Sequence, residues 1–348
     1  MDRGRLDLAP GMAGRVAEPD PGLLRPRVSI VVPVYNGERS LTELVTGLDA
    51  SLRQVGVTIE VILVDDGSPD GSWAVIEHLA AEHPWVRGIR FMRNFGQHNA
   101  LIAGTRDAQY EVVVTMDDDL QHPPDQVLLL VDAMEPDVDL VYGFAAEEEH
   151  GPLRSLASRV VKLALASTLR NEAAKYVSAF RAFRLVLRDS FATNSDPGLT
   201  LDVLLSWSTA RVKAVPVRMR PRKYGRSNYS VRLLLRHALN MITGYSTLPL
   251  RVVTYMGVVF SLFGWAVLVF VVLHYFVYGV AVPGFTFVAS LVAVFSGAQM
   301  FALGIVGEYL GRIHFRSMRQ PQYVVREKTG SEALPVPAFV PDQVHRLQ

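Results

Sequence analysis

Cysteine is absent from all 348 residues. Its absence removes disulfide frameworks, thiolate zinc sites and cysteine nucleophiles, and it fits a reducing compartment. Net charge is also nearly absent, with 35 Lys and Arg against 34 Asp and Glu, a formal +1. A local absence says more. Between Asp202 and Glu308 there is no acidic residue, while Arg211, Lys213, Arg218, Arg220, Arg222, Lys223, Arg226, Arg232, Arg236 and Arg251 all fall in that interval. A one-signed stretch attracts phosphates and anionic lipid. It abuts an apolar run and holds no recognisable nucleic-acid module, so no nucleic-acid partner is expected. The N-terminus, residues 1–26, has no uninterrupted apolar run of the roughly 7–15 residues that a signal peptide needs. Rich in Pro, Gly, Arg and Asp, it reads as a disordered tail, as does the stretch after Lys328.

Hydrophobic residues, by contrast, make up 49% of the chain, enough for a core and for membrane segments. Val252–Gly279 is broken only by Thr254, Ser261 and His274, and Val282–Gly307 has Ser290, Ser296 and Gln299 as its clearly polar members. Each exceeds the roughly 20 residues that a helix needs to cross a bilayer. The short connection between them carries no Lys or Arg, whereas Arg236 and Arg251 precede the pair and Arg312, Arg316 and Arg319 follow it. The positive-inside rule therefore puts both ends, and the large N-terminal domain, in the cytoplasm of a multi-pass cell-membrane protein. A buried helical hairpin in a soluble protein is the alternative. Just before the first run, Val231–Tyr245 spaces Val231, Leu234, Leu235, Ala238, Leu239, Met241, Ile242 and Tyr245 as a helix lying in the membrane interface. Leu153–Leu169, with Arg154, Arg159 and Lys162, fits either that role or packing within the domain. The domains expected are a tail (1–26), an α/β domain (27–229), a juxtamembrane helix (230–249), two transmembrane helices (250–311) and a C-terminal tail (312–348).

From Arg27 on, short apolar runs alternate with amphipathic stretches. Val28–Val34, Ile59–Val64, Val86–Phe91, Val112–Met116 and Leu140–Phe144 are predicted strands. Glu38–Leu52, Ser72–Glu82, Asn99–Ala108 and Pro124–Met134 are predicted helices. Val- and Ile-rich strands separated by helices indicate a parallel sheet in an α/β domain, and ligands of such sheets bind beyond the carboxyl ends of the strands.

The polar residues sit at those ends. Strand one runs into Pro33, Tyr35, Asn36 and Glu38, strand two into Asp65 and Asp66, and a later strand into Asp117, Asp118, Asp119 and Gln121. Carboxylates at neighbouring strand ends repel one another, and a cation or a donor-rich ligand relieves that repulsion, a hard divalent cation most directly. Mg²⁺ or Mn²⁺, which takes oxygen ligands from one or two carboxylates plus substrate phosphates, is the cofactor this pattern calls for. Any one of these acidic turns alone is weak evidence, since Asp and Gly are ordinary turn residues.

Taken in order, PVYNGE, VDDGSPDGS, RNFGQHNAL and MDDDLQHPP resemble the family-2 glycosyltransferases over about Val28 to Arg326. The polyprenyl-phosphate branch is nearer still, because its bacterial members carry a C-terminal membrane hairpin ending, as here, in Gly-Glu-Tyr-Leu-Gly-Arg (Gly307–Arg312). The resemblance implies a GT-A (Rossmann-like) domain that binds a nucleotide-diphosphate sugar and moves the sugar to a polyprenyl phosphate beside the lipid bilayer. It implies nucleoside contacts from Pro33, Tyr35, Asn36, Glu38, Asp65 and Asp66, and metal contacts from Asp117 and Asp119. Asp118 stands where relatives often have Ala, and Gln121 matches a residue near the donor sugar. Arg93, Asn94, Gly96 and His98 match a loop flanking the donor, with His98 where many relatives carry Lys. Arg181, in Ser178–Arg184, and the loop residues Arg222, Arg226, Ser227, Asn228 and Tyr229 match the segments that meet the diphosphate and the acceptor phosphate. A homo-oligomer, dimer or tetramer, is left open.

The mechanism this implies is one in-line displacement with inversion at the anomeric carbon. A phosphate monoester, with its second pKa near ~6, is already ionised at neutral pH and needs no strong base. Asp202 stands where a base would serve if the acceptor were a sugar hydroxyl; helix capping is its structural alternative. Three other readings stay open: a transferase acting on a lipid-linked or polysaccharide hydroxyl, a processive synthase (whose Gln-x-x-Arg-Trp motif is absent), and a non-catalytic membrane-bound binder of nucleotide or lipid phosphate.

Overall fold

The computed structural model describes residues 26–145, 177–191, 199–220, 223, 248–278, 284–318 and 320–330. Strand β1 (Val28–Val34) is buried at every position, as expected of a β-branched strand covered on both faces. Helix α1 (Leu41–Leu48) follows and runs into a short π-helical stretch, Asp49–Arg53. Then come β2 (Ile59–Asp65), α2 (Ser72–Glu82), β3 (Val86–Phe91), α3 (Gln97–Asp107) and β4 (Val112–Thr115). A 3₁₀ turn, Pro124–Gln126, leads into α4 (Val127–Asp132) and β5 (Leu140–Ala145). Further on lie β6 (Arg181–Arg184), α5 (Leu201–Ser208) and β7 (Val212–Val217). Two long helices, α6 (Leu248–Tyr278) and α7 (Phe285–Ser317), precede a last strand, β8 (Val325–Thr329).

The eight strands form one sheet in the order β7-β5-β6-β4-β1-β2-β3-β8. β1 pairs in parallel with β2 and β4, and β2 with β3. The five predicted strands run parallel, and the sheet as a whole is mixed because β6 runs antiparallel to β4 and β5, and β8 antiparallel to β3. The order reverses between β1 and β4, which places a topological switch point there, where α/β sheets open a crevice. Alternate strand residues feed two cores. Ile30, Val32 and Leu63 pack with Leu44, Ile76 and Leu130 on one face, while Val31, Ile62 and Val64 pack with Leu101, Ile102 and Leu204 on the other.

Residue 312 does not divide domain from tail as expected: α7 continues to Ser317, and β8 is part of the α/β sheet. Within α6, Leu250–His274 is long and apolar enough to cross a membrane; among the described residues it is the one segment meeting that length-and-composition test. α7 lies against α6, with Phe260 and Phe295 meeting at 5.6 Å. The N-terminal tail, the amphipathic stretches Leu153–Leu169 and Val231–Tyr245, and residues 331–348 lie outside the described residues.

Candidate active site

The carboxyl ends of β1, β2 and β4 and the loop after β3 surround a cavity of about 350 Å³. It is lined by Pro33, Val34, Tyr35, Asp66, Asn94, Gly96, Gln97, Asp117 and Asp118. It lies over the β1/β4 switch point; of the expected site residues Pro33, Tyr35, Asp66, Asp117 and Asp118 meet there with Asn94 and Gly96 of the flanking loop, while Asn36, Asp65, Asp119 and Gln121 stand outside the lining.

The backbone beneath it is tightly drawn. Asn36 adopts a left-handed conformation (φ 59°), and its N–H donates to Ser68 Oγ at 3.1 Å. Gly37 N–H donates to Ser72 Oγ at 2.9 Å, tying the β1 end to the start of α2. A Cβ on Gly37 would stand 2.3 Å from Asp118 Oδ2 and 2.9 Å from Val34 Cγ1, so the close approach of Asp118 requires glycine. Gly67 (φ 67°) is likewise pressed on the backbone of Arg93 and Asn94, where a Cβ would come within 2.6 Å.

Asp66 accepts N–H bonds from Phe95 (2.6 Å) and Gly96 (2.8 Å), which hold the loop entering α3. Burial pushes its carboxyl above the usual carboxylate range, and the charge of Asp65 adds to that, while the two amides and Arg93 pull the other way. Asp65 is wholly buried. Its Oδ1 accepts from Ser68 N–H at 3.0 Å, and its Oδ2 has no hydrogen-bond partner among the described residues, with Arg90 Nε at 3.5 Å. Glu38 holds a neighbouring turn. It is exposed and outside the cavity lining, accepting from Gly71 N–H at 3.2 Å while its own N–H donates to Asp70 at 3.3 Å.

In the acidic turn, Gln97 Nε2 donates to Asp117 Oδ1 at 2.7 Å, and Gln121 N–H donates to Asp119 Oδ1 at 3.0 Å. Leu120 between them has φ 60°. Asp117 and Asp119 offer hard oxygen donors. Among the described residues no three His, Cys, Asp or Glu side chains are grouped to hold a metal ion unaided. Such a donor set fits Mg²⁺ or Mn²⁺, which binds through one or two carboxylates and completes its shell with substrate oxygens. Behind the turn, His122 is buried and stacks on Phe180 at 4.7 Å. Burial holds its imidazole below the usual histidine range, with the charge of Asp119 opposing.

Arg181 and Asp202 do not line the cavity. Arg181 is 1% exposed; its Nη1 pairs with Asp202 Oδ1 and its Nε donates to Thr115 Oγ1 at 3.1 Å. Tyr142 also donates to Asp202, at 3.3 Å, and burial drives its hydroxyl pKa upward. Asp202 sits in the first turn of α5, whose cap is Thr200. Of the basic loop, Arg222, Arg226, Ser227, Asn228 and Tyr229 lie outside the described residues. The strand leading to it is anchored at the acidic turn: Arg220 N–H donates to Gln121 O at 2.8 Å, and Arg218 binds Asp125 and Gln126. Gln97, Arg90, Thr115 and Tyr142 were not among the expected site residues, although Gln97 lies within RNFGQHNAL and Thr115 directly precedes MDDDLQHPP.

Sheet, switch point and acidic cavity together define an α/β protein with a ligand crevice at the carboxyl ends of its strands. The sequence profile described as "Glycosyl transferase family 2" matches residues 29–193. An undecaprenyl-phosphate 4-deoxy-4-formamido-L-arabinose transferase of Proteus mirabilis is 31% identical over 307 residues, covering 87% of this chain and 94% of its own length. The protein of that name from Sodalis glossinidius is 32% identical over 304 residues, with 86% and 93% covered. The chain belongs to glycosyl transferase family 2. A solved mannosyltransferase from Pyrobaculum calidifontis, in complex with GDP-Man and Mn²⁺, is more distantly similar: 21% identity, TM-score 0.47 and 67% of each chain covered.

Proposed function

We propose that the chain moves a sugar from a nucleoside-diphosphate sugar to a polyprenyl phosphate, with inversion, at the cytoplasmic face of a cell membrane. The observation that carries this reading is the convergence of Asp66, Asp117 and Asp118 on one cavity over the β1/β4 switch, in a chain whose full-length relatives are named for an undecaprenyl-phosphate acceptor.

Pro33, Tyr35, Asn36 and the Asp65–Asp66 pair take the nucleoside end of the donor. Glu38 acts at one remove, holding the Gly71 turn. Asp117 and Asp119 would hold Mg²⁺ or Mn²⁺, oriented by Gln97 and by the Gln121 amide. A bound ion there supplies charge neutralisation for the leaving diphosphate. Gln121 meets the sugar, and Arg222 and Arg226, with Ser227, Asn228 and Tyr229, gather the diphosphate and the acceptor phosphate. The anchoring of Arg218 and Arg220 beside the acidic turn supports that placement. Arg's planar fork suits phosphate.

Asp202 favours a phosphate acceptor over a hydroxyl one. A general base must reach the proton it removes, whereas the carboxylate of Asp202 is taken up by Arg181 and by the Tyr142 hydroxyl. Arg181 and Asp202 are therefore proposed as positioning residues. Arg181 reaches the acidic turn through Thr115, two residues before Asp117.

β8 bears on the membrane arrangement. Because it rejoins the sheet built by β1–β7, any membrane crossings between Val217 and Val325 must be even in number. If α6 crosses, α7 is the described element that returns. With 33 residues it spans about 50 Å, and it exposes Val288, Val292, Met300, Leu303, Val306 and Leu310. We read α6 and α7 as a transmembrane hairpin with the α/β domain in the cytoplasm.

The test is transfer in isolated membranes, using labelled nucleotide sugars, undecaprenyl phosphate and Mn²⁺. Acid-labile labelled lipid that vanishes in Asp119→Ala is the expected result. Label found only in a polysaccharide or in an acid-stable lipid would overturn the phosphate acceptor.

A further inference from the structure

The segment that follows α7 does more than close the sheet edge. Tyr323 stacks on Phe91 with ring centroids 5.0 Å apart and planes 11° apart. Phe91 in turn meets Phe95 edge-on at 5.7 Å, and Phe95 and Gly96 donate the two N–H bonds that hold Asp66. Arg106 also packs on Tyr323, its Cζ 5.6 Å from the ring centroid and its Nη1 3.3 Å from the hydroxyl. Met92 N–H donates to Val324 O at 3.0 Å, fixing the register of this contact.

A second route reaches Asp65. Glu327 on β8 binds Arg90 Nη1 at 2.9 Å, and the Nε of the same guanidinium stands 3.5 Å from Asp65 Oδ2. That separation is too long for a hydrogen bond, so Arg90 is divided between a carboxylate at the sheet edge and one in the interior. Trp73 lies under the guanidinium at 5.6 Å, which limits where else it can go. Without Glu327, Arg90 is free to close on Asp65 and neutralise it.

From these two independent chains of contact we infer that Tyr323 and Glu327 are positioning residues for the nucleoside-binding carboxylates, so that the segment after α7 supports the donor pocket. Tyr323 supports Asp66 through Phe91 and Phe95; Glu327 sets the charge facing Asp65 through Arg90. The inference rests on the reading of Asp65 and Asp66 as the nucleoside end of the site. It assigns donor affinity to a strand that lies after the last long helix, outside residues 29–193 matched by the family profile.

The experiment uses the full chain purified in detergent. UDP, dTDP and GDP are titrated with Mn²⁺ by calorimetry, and the nucleotide that the wild type binds most tightly becomes the probe. Tyr323→Ala is expected to weaken its binding roughly three- to tenfold, the worth of one aromatic pair. Glu327→Ala, which removes a partly exposed ion pair, is expected to weaken it roughly two- to threefold. Tyr323→Phe, which keeps the ring, should bind as the wild type does. In transfer assays the donor KM should rise while kcat and the acceptor KM stay put, a split that general loosening of the fold would not give. Unchanged nucleotide affinity in both alanine variants, or a fall in kcat at constant donor KM, would overturn the inference. If Tyr323→Ala does not fold, Glu327→Ala at the exposed edge decides alone. Failure of the wild type to bind any of the three nucleotides would overturn the nucleoside reading itself, and this inference with it.

Discussion

The guanidinium of Arg181 and the carboxylate of Asp202 are paired with each other in the interior, with side chains 1% and 11% exposed. Thr115 and Tyr142 complete the shell around them. Removing one member strands a buried charge, which costs about 3–5 kcal/mol, whereas replacing both with apolar residues is often neutral. Arg181→Met and Asp202→Leu should each lower the denaturant midpoint sharply, and the double variant should recover most of the loss. Asp202→Asn, where folded, should keep its kcat. A kcat collapse with the fold intact would restore Asp202 as a base.

Gly37 and Asp118 make a second coupled pair. In Gly37→Ala the new methyl meets Asp118 Oδ2 at 2.3 Å, and the carboxylate has to swing into the cavity. Donor KM should rise while the melting temperature changes little. Adding Asp118→Ala removes that oxygen and should restore much of the affinity, leaving only the contact with Val34. No rescue in the double variant would mean that the damage comes from Val34 and the β1 backbone.

His122 sets a pH dependence. Burial depresses its folded-state pKa below the free value near ~6.5. The unfolded chain therefore takes up a proton first as pH falls. The stability contribution is present above ~6.5 and is lost as pH falls from there through the folded pKa. Melting temperatures of the wild type should decline between about pH 6.5 and 5, and His122→Phe, which can keep the stack on Phe180, should flatten that slope. An identical slope in the variant would put the titration elsewhere.

β8 in the catalytic sheet makes a topological prediction. Tags at the two chain ends should be cut or labelled from the same, cytoplasmic, side, and a tag inserted at the α6–α7 connection from the other. Labelling of that connection from the cytoplasm would remove the transmembrane hairpin.

Where hydrophobic pattern alone decides, the fold was legible. Val28–Val34, Ser72–Glu82 and Val86–Phe91 have the bounds that the pattern predicts. Of the strands that escaped detection, β7 is a partly buried edge strand interrupted by Pro216, while β6 and β8 have side chains satisfied only by distant partners. β6 reads Arg-Ala-Phe-Arg, yet Arg181 is buried because Asp202 and Thr115 receive it. β8 reads Val-Arg-Glu-Lys-Thr with no apolar face, and it is held by backbone pairing to β3 and by Arg90 and Asp107. That Asp66, Asp117 and Asp118 come together at strand ends was legible, because acidic turns after apolar strands are local. Gln97, Arg90 and the outward placement of Glu38 were not, because each depends on how separate loops meet.

The most direct measurement gives the purified chain one donor sugar nucleotide with Mn²⁺ and two acceptors of equal chain length, a polyprenyl phosphate and the corresponding free polyprenol. The account predicts a glycosylated lipid from the phosphate alone, with the anomeric configuration inverted and no product in Asp119→Ala. Transfer to the alcohol, or a product that retains configuration, would contradict it.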